Sequence, residues 1–325
     1  MQAVGATVAD LEALRVPLTG YCYRLLGSAS DTDDAVQDTL IRAADRLDQF
    51  DPARAQLATW VHRIATNICL DLLRAARRRA LVMDLAEAAE GPGLGQPLPP
   101  DAWIEPMPDS RLLGVRDPGE VVEGQETVRL AFIAALQHLA PRQRAVLVLR
   151  DVLAFSARET AEILGASVAS VTSALQRARA VLAAERPDPF DVGDPKDAAQ
   201  RELLHRYVTA FEAHDVVGLT AVLREDAIAS MPPFRWRLRG ARQIAEIMAS
   251  SDSCAGARLV PCPLNGGIGV GQYRPDEAGD LRPFALVALT LRDGWITQII
   301  TFLGTQTRFA EFGLPSSLTG FDDVR

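Results

Sequence analysis

Residues 156–182 read SARETAEILGASVASVTSALQRARAVL, and this stretch predicts two helices joined by a short turn. Ser156 and Glu159 have the spacing of an N-terminal capping box, and Gly165 suits the left-handed backbone that ends a helix. Ser167 is a suitable N-cap for the second helix. Apolar residues recur along one face of that helix: Val168, Val171, Leu175, Ala178 and Leu182. This pattern is typical of a helix-turn-helix, although an ordinary helical hairpin has it too.

The distribution of charge favours a nucleic-acid contact in the same region. The chain of 325 residues has 34 Lys and Arg against 42 Asp and Glu, a net charge of −8. Residues 127–186 carry eight arginines against four acids, whereas residues 81–126 carry two arginines against ten acids. The positive charge is therefore concentrated around the predicted helix-turn-helix, as a DNA-contacting module requires.

Residues 8–80 read as helices almost throughout. A first helix is expected over Val8–Leu26, ending at Gly27. A second is expected to open at Asp31, because carboxylates in a first turn are stabilised by the helix dipole. A long helix should cover roughly Leu57–Arg79, where apolar residues recur at helical spacing. The sequence thus predicts an all-α bundle at the N-terminus.

The segment DTDDAVQDTLIRAADRL, residues 31–47, resembles region 2 of sigma-70 family sigma factors of the extracytoplasmic-function (ECF) type. In that family an acid-rich helix docks on a coiled coil of the largest polymerase subunit. The resemblance implies the same contact for the matching residues: Asp34, Val36, Gln37 and Asp38. An acidic, amide-bearing helix face suits an arginine-rich partner, and a plain solvated face is the alternative.

Residues 56–79, QLATWVHRIATNICLDLLRAARRR, resemble the promoter-melting part of region 2. Melting leaves single-stranded bases, which need an aromatic or amide pocket and a cationic surface for their phosphates. The resemblance implies contacts with the −10 promoter element from the following residues: Trp60, Arg63, Asn67, Arg74, Arg77, Arg78 and Arg79. The alternative places Trp60 in the core and leaves the arginines as a solvated last turn that complements the helix dipole.

Residues 135–182 resemble region 4, the module that reads the upstream −35 promoter element. The residues expected to contact DNA are Ser167, Thr172, Ser173, Gln176, Arg177 and Arg179. Helix geometry puts Thr172, Ser173 and Gln176 opposite the apolar face, so these three are expected on base edges and the arginines on phosphates. Many relatives carry Arg or Lys where this chain has Thr172, which leaves open the base that is read.

The last part of the chain predicts an α+β domain. Asp293-Gly294 lies between FALVALTLR and WITQIITFL, which indicates a two-residue hairpin. Residues 230–244, SMPPFRWRLRGARQI, and residues 102–113, AWIEPMPDSRLL, resemble the ECF subgroup that carries a SnoaL-like (NTF2-like) domain with a cone-shaped fold. Residues expected at an interface between domains are Trp103, Met231, Pro232, Pro233 and Trp236.

The chain is therefore expected to be a multidomain protein with two all-α sigma modules and an α+β cone-shaped domain. The expected order is region 2 at 8–80, an acidic proline-rich linker at 81–126, the region 4 helix-turn-helix at 127–186, a short linker at 187–197, the SnoaL-like domain at 198–315 and a tail at 316–325.

The expected function is an ECF sigma factor that acts in the cytoplasm and binds promoter DNA and core RNA polymerase, through the β′ coiled coil and the β flap. The C-terminal domain is expected to contact the sigma modules and tune their activity. No cofactor, metal or catalytic residue is expected. The four cysteines form no C-x-x-C pair, so no zinc or redox motif is expected, and no stretch is apolar enough to span a membrane.

Two other functions stay open. The first is a helix-turn-helix regulator that acts without region 2. The second is a fused small-molecule enzyme, for which His205, His214 and Asp215 are the candidate bases.

Overall fold

The computed structural model describes residues 6–75, 79–81, 84, 93–99, 102–113, 125–185, 197–251 and 254–318. The chain divides into two compact units. The helical unit comprises Met1–Arg79 and Ser110–Arg186, and the C-terminal unit comprises Ala80–Asp109 and Pro187–Arg325. Both predicted helical modules thus belong to one unit, while the segment between them belongs largely to the other.

Most of the helices precede the C-terminal domain. They are α1 (Val8–Glu12), α2 (Arg15–Leu26), α3 (Ala29–Ala44), α4 (Leu57–Ala75), α5 (Asp109–Leu112), α6 (Leu130–Gln137), α7 (Pro141–Leu147), α8 (Ala157–Leu164) and α9 (Val168–Glu185). A 3₁₀ turn at Leu47–Gln49 follows α3, and a π-helical turn at Val148–Val152 follows α7.

The N-terminal helices begin and end at residues that differ slightly from the prediction. The helix expected over Val8–Leu26 is two helices, because α1 ends at Glu12 and α2 begins at Arg15. Helix α3 begins two residues before Asp31, because the Ser28 hydroxyl accepts a hydrogen bond from the Asp31 amide at 3.1 Å and caps the helix there.

The helix-turn-helix forms as its sequence predicts. The Ser156 hydroxyl accepts from the Glu159 amide, and the Glu159 carboxylate accepts from the Ser156 amide at 2.8 Å. Hydrogen bonds to the Glu159 carboxylate, first from the Ser156 side chain and then from the Ser156 amide, lower the pKa of Glu159. Gly165 ends α8 in the left-handed region, with φ of 59°. Ser167 then accepts from the Ser170 amide at 3.1 Å, which caps α9.

The inner face of α9 follows the predicted apolar period. Val171, Leu175, Ala178 and Leu182 are buried, and α9 packs against α7 and α8. Val168, in the first turn, is exposed instead. The opposite face of α9 is consequently left open to solvent.

In the part of the C-terminal domain that the structure describes, three helices accompany one sheet. The elements are α10 (Ala198–Glu212), α11 (Val216–Val222), β1 (Leu223–Ser230), β2 (Arg237–Arg239), α12 (Ala241–Ser250), β3 (Arg258–Leu264), β4 (Gly267–Pro275), β5 (Leu281–Arg292) and β6 (Trp295–Leu303), followed by a 3₁₀ turn at Gln306–Phe312. The six strands have the order β2-β1-β6-β5-β4-β3. Strands β1 and β6 are parallel, and the other neighbours are antiparallel.

The hairpin between β5 and β6 is closed by the predicted two-residue turn. Asp293 and Gly294 both have positive φ, at 52° and 79°, as a type I′ turn requires. Arg292 and Trp295 pair directly across the turn. The expected α+β domain is therefore present. The pairing of β5 with β6 shifts register once beyond the turn, between Leu291 and Thr290.

Residues before the helix-turn-helix dock onto this sheet domain. The amide of Leu98 donates to the Pro233 carbonyl at 2.7 Å. Met107 and Asn265 exchange two hydrogen bonds, from the Met107 amide to Asn265 Oδ1 at 2.9 Å and from the Asn265 amide to the Met107 carbonyl at 3.1 Å. Ile104 and Met107 are almost completely buried. Residues 93–99 and 102–109 are called the docked linker below.

Within the described ranges, no helix is long and apolar enough to cross a membrane.

Candidate nucleic-acid interface

Helix α3 presents an acidic face to solvent. Asp34, Gln37 and Asp38 are exposed and lie within about one turn of each other. Asp38 pairs with Arg42 at 3.3 Å, but both side chains are more than half exposed, so this ion pair is weak and can be exchanged for a partner. Val36 is only 3% exposed. It lies two positions from both Asp34 and Asp38, and two positions along a helix turn a side chain by about half a turn, to the opposite face. Val36 therefore supports the acidic face from the buried side and is not part of it.

Two further acids of α3 are used inside the helical unit. Asp31 accepts from Arg79 at 2.6 Å, and Asp33 pairs with Arg111. Arg79 is only 6% exposed, so the structure removes it from the arginines expected to meet DNA. Arg77 and Arg78 lie outside the described residues.

Helix α4 carries a polar stripe along one side. Arg63, Asn67 and Arg74 are exposed and recur at helical spacing, and Trp60 begins the same row. The Trp60 ring is half-buried against Phe50, with the ring centroids 5.5 Å apart. This stripe therefore begins with an aromatic ring and continues with Arg63, the Asn67 amide and Arg74. Arg74 forms an ion pair with the exposed carboxylate of Asp71.

The exposed face of α9 has the opposite electrostatic character from α3. Ser167, Thr172, Ser173, Gln176, Arg177 and Arg179 are all exposed. From Val168 to Ala184 the helix contains no acid. The Thr172 hydroxyl donates to the Val168 carbonyl at 3.0 Å, so its proton is already used within the helix. Ser173 and Gln176 are the better placed hydrogen-bond donors on this face.

The two arginines of this face differ in their partners. Arg179 donates to both carboxylate oxygens of Asp151, at 2.9 and 2.7 Å, and this contact raises the pKa of Arg179. Within the described residues, Arg177 has no such partner. Arg177 can meet a phosphate directly, whereas Arg179 must first exchange its carboxylate partner.

Comparison with known families covers both helical modules. A model of sigma-70 region 2 matches residues 11–79, which contain the acidic face of α3 and the stripe of α4. A model of sigma-70 region 4 matches residues 129–182, which contain the helix-turn-helix. These two stretches are called the region 2 module and the region 4 module below.

Whole-chain comparison extends the match across the C-terminal domain. The chain is 40% identical to the ECF RNA polymerase sigma factor SigG of Mycobacterium tuberculosis, over 95% of this chain and 84% of SigG. The chain is an ECF RNA polymerase sigma factor. Such proteins bind core RNA polymerase and direct transcription initiation at promoters, and the region 2 match does not favour a regulator that lacks this module.

Two comparisons with SigJ, another ECF sigma factor of Mycobacterium tuberculosis, agree with the family. The two sequences are 32% identical over 67% of this chain and 62% of SigJ. The crystal structure of SigJ superposes with a TM-score of 0.59, covering 95% of this chain and all of that one, at 23% identity. The fold of this sigma factor is thus similar to that of SigJ along nearly its whole length.

The two modules of this sigma factor pack against each other through residues that the sequence did not single out. Helix α8 of the region 4 module packs on α4 of the region 2 module. Arg144 of α7 donates to the carbonyl oxygen of Leu25 at the end of α2. Arg24 of α2 donates to the Thr127 hydroxyl at 2.7 Å. Both hydrogen bonds join residues more than one hundred positions apart, so no local pattern indicates them.

A buried histidine lies at the centre of this packing. His62 of α4 is 2% exposed, and its ring lies 5.3 Å from Tyr21 of α2 and 5.0 Å from Phe155, just before α8. Its Nδ1 lies 2.8 Å from the Ala58 carbonyl, which makes Nδ1 the protonated nitrogen of the neutral ring. Burial disfavours the charged ring and lowers the pKa of His62. The packed modules therefore hold this histidine in its neutral form.

The residues expected at an interdomain surface lie in the C-terminal unit. Pro233 accepts the hydrogen bond from Leu98 of the docked linker, and the Pro232 carbonyl accepts from the Leu303 amide at 2.9 Å. Met231 and Trp236 line a cavity inside the domain. Trp103, half-buried, forms a bridge with Ala80. The turn at 231–236 thus meets the docked linker on one side and the cavity on the other.

The three candidate bases of the enzyme hypothesis do not line this cavity. His205 is exposed on α10. The ring nitrogens of His214 lie 3.1 and 3.0 Å from the carbonyl oxygens of Ala249 and Cys254. Asp215 caps α11 by accepting from the Val217 amide. His214 and Asp215 make structural hydrogen bonds and His205 faces solvent, so the structure does not bring the three together as a catalytic group at the cavity.

Replacing His62 with phenylalanine should make the helical unit less sensitive to acid. An unfolded histidine binds a proton below about pH 6.5, whereas folded His62 does so only at lower pH. The unfolded state therefore binds more protons in this window, and the free energy of unfolding falls as the pH falls, by up to about 1.4 kcal/mol per pH unit. Phe keeps the ring contacts and removes the titration.

Urea unfolding followed by helical circular dichroism, at about pH 7.5 and about pH 5.5, measures this effect. His138 is exposed, so His138→Gln serves as the matched control and should keep the parent's acid sensitivity. If the free energy of unfolding falls equally in His62→Phe and in the parent between these two pH values, His62 is not the source of the acid sensitivity.

Proposed function

We propose that this sigma factor uses three exposed helix faces for three separate contacts. The acidic face of α3 (Asp34, Gln37 and Asp38) docks on core polymerase. The stripe of α4 (Trp60, Arg63, Asn67 and Arg74) holds melted bases of the downstream element. The face of α9 (Ser167, Thr172, Ser173, Gln176, Arg177 and Arg179) reads the upstream element. The single observation that supports this division is that all three faces stay exposed while the modules are packed together.

The electrostatics of the three faces agree with the partners proposed. An acidic helix face complements an arginine-rich protein helix, such as one of a coiled coil, and repels DNA. The α9 face has cations and no acid between Val168 and Ala184, which suits a phosphate backbone. Asn67 offers both a donor and an acceptor to a base edge, between the cations Arg63 and Arg74.

We further propose that the C-terminal domain has no catalytic role and tunes the sigma modules through the docked linker, in the cytoplasm where polymerase and DNA lie. The support is that the docked linker precedes the region 4 module in the chain and is bound to the sheet domain by several hydrogen bonds. Among the described residues lining the cavity there is no acid or histidine to serve as a general base.

Removing residues 197–325 should change transcription output from a cognate promoter and leave the promoter preference intact, because the α9 face remains. Run-off transcription and core-binding titrations on the truncated chain measure this. A truncated protein with the output and the core affinity of the full chain would reject a tuning role.

Reversing the charge of the α3 face should weaken binding to core polymerase. The double variant Asp34→Arg, Asp38→Arg places like charges against the proposed arginine-rich partner, which costs several kcal/mol at an interface. The matched control is Asp45→Arg, Asp48→Arg, which makes the same change of charge at exposed acids just beyond the proposed face. Fluorescence titration of labelled chain with core polymerase measures the affinities. Equal affinities for the two double variants would place the docking face elsewhere.

Asn67→Ala should spare core binding and reduce promoter opening, because an amide that contacts an unpaired base acts only once the strands separate. Permanganate reactivity of unpaired thymines reports opening on duplex and premelted promoters. An equal loss on both templates indicates a direct base contact. Leu72→Ala, an exposed change on another side of α4, is the control and should behave as the parent. Unchanged reactivity of Asn67→Ala on both templates would rule the role out.

The proposed phosphate contacts of Arg177 and Arg179 are tested by two different substitutions, one at Arg177 itself and one at the carboxylate that pairs with Arg179. Arg177→Ala should lower the affinity for all upstream sequences and reduce the salt slope of binding by about 1. Asp151→Asn removes the carboxylate that holds Arg179, so it should strengthen DNA binding. Arg158→Ala removes an exposed arginine of α8, outside the proposed face, and should leave the slope unchanged. Binding titrations over a range of salt concentrations test all three, and a normal slope in Arg177→Ala would exclude it as a phosphate contact.

A further inference from the structure

The C-terminal domain contains a largely enclosed cavity of about 190 Å³. Tyr207 and Phe211 of α10 form one wall, Ile244 and Met248 of α12 another, and Val287 of β5 lies on the sheet side. For comparison, a dry apolar cavity of about 150 Å³ in another protein holds a benzene molecule. The space therefore fits a compact molecule of one or two rings.

The lining defines the chemistry of an occupant. Among the described residues of the wall there is no acid, lysine, arginine or histidine, and burying an unpaired charge here would be costly. Two polar side chains of the sheet, Gln272 of β4 and Thr301 of β6, contribute to the wall and are less than a tenth exposed. A neutral, mainly apolar molecule with a hydroxyl or carbonyl group matches this surface.

The docked linker contributes to the same cavity. Leu94 lines the cavity and packs against the hydrophobic core of the domain. Four residues later the Leu98 amide donates to the Pro233 carbonyl at 2.7 Å, and Pro97 bridges to Phe234. The turn that accepts these contacts also contributes Met231 to the cavity wall. The linker thus covers the cavity at the point where it is held to the domain.

An occupant of the cavity would contact both the domain and the docked linker. Protein interiors rarely keep voids much larger than a water molecule, because the lining atoms lose their dispersion contacts. A molecule in this cavity restores those contacts, and it meets Leu94 only while the linker is docked. Binding and docking must then stabilise each other by the same factor.

We propose that this cavity binds a small, neutral, ring-containing molecule, and that Leu94 covers the molecule so that occupancy strengthens docking of the linker on the C-terminal domain. Occupancy of the cavity would thereby change how firmly the segment that precedes the region 4 module is held to the C-terminal domain. The proposal stands apart from the residue roles assigned to α3, α4 and α9, since it concerns only the cavity and the linker.

The test uses the full chain with indole and 1-naphthol as neutral probes and 1-naphthoate as the charged comparator. Calorimetric titration measures binding. Hydrogen–deuterium exchange of the peptide that contains Leu98 measures docking of the linker. At least one neutral probe should bind and slow exchange of this peptide, whereas 1-naphthoate should bind at least about tenfold more weakly.

Three variants separate the cavity from general effects on folding. Ala229→Leu places a larger side chain into the cavity from β1 and should abolish binding of the neutral probes. Leu94→Ala should weaken binding by about tenfold and remove the effect on Leu98 exchange. Leu204→Ala is the matched control, because Leu204 is also half-buried against the domain core but does not line the cavity. Leu204→Ala should bind the neutral probes as the parent does, and the bound probes should slow exchange of the Leu98 peptide as in the parent.

Several outcomes would overturn the proposal. Failure of both neutral probes to bind the folded parent would reject the site, as would equal binding of 1-naphthoate. Undiminished binding by a folded Ala229→Leu variant would place the probes elsewhere. Binding that leaves exchange of the Leu98 peptide unchanged, or equal behaviour of Leu94→Ala and Leu204→Ala, would reject the coupling to the linker.

Discussion

A buried guanidinium holds the helical unit of this sigma factor together. Arg144 is 3% exposed, and its hydrogen bonds go to the Gln137 side chain at 2.6 Å and to backbone carbonyl oxygens of Leu25, Gln137 and Leu139. Leu25 and Gln137 lie at the C-terminal ends of α2 and α6, where carbonyl groups lack helical partners and the helix dipoles are negative. The carbonyl oxygens at two helix ends thereby stabilise one buried positive charge.

This interaction decides which surfaces remain available. Arg144 joins α7 of the region 4 module to α2 of the region 2 module. Each module therefore buries one of its sides against the other module. The neutral ring of His62 packs between Tyr21 of the region 2 module and Phe155 of the region 4 module, in the same contact between the two modules. The polar faces of α3, α4 and α9 point outward as a consequence, so the packing that stabilises the unit does not cover the residues proposed to bind polymerase and DNA.

The linker gains structure from a different source. Its prolines prevent a long helix, and its backbone hydrogen bonds are made instead with the sheet domain, at Pro233 and Asn265. Leu98, Ile104 and Met107 are buried, so the segment is anchored by apolar contacts as well as by polar ones. The proposed tuning of the sigma modules by the C-terminal domain depends on this anchoring, because the docked linker precedes the region 4 module in the chain.

The local features of this protein were determined by the sequence itself. The capping box of Ser156 and Glu159, the helix end at Gly165 and the turn at Asp293-Gly294 depend on dihedral preferences and on neighbours within four residues, so their patterns are readable directly. The exposed face of α9 follows equally from the helical period, since four apolar positions define the side that is buried.

Only the tertiary structure decided which of these side chains are free to act. Arg79 reads as one of several basic residues at a helix end, yet it is buried against Asp31, 48 positions away. Val36 matches a docking motif, yet it faces the core. The roles of Arg144 and Leu94 depend on partners that the fold brings from distant parts of the chain. A contact between distant residues requires the two surfaces to be packed in one arrangement, and no periodicity or local propensity along the chain specifies that arrangement.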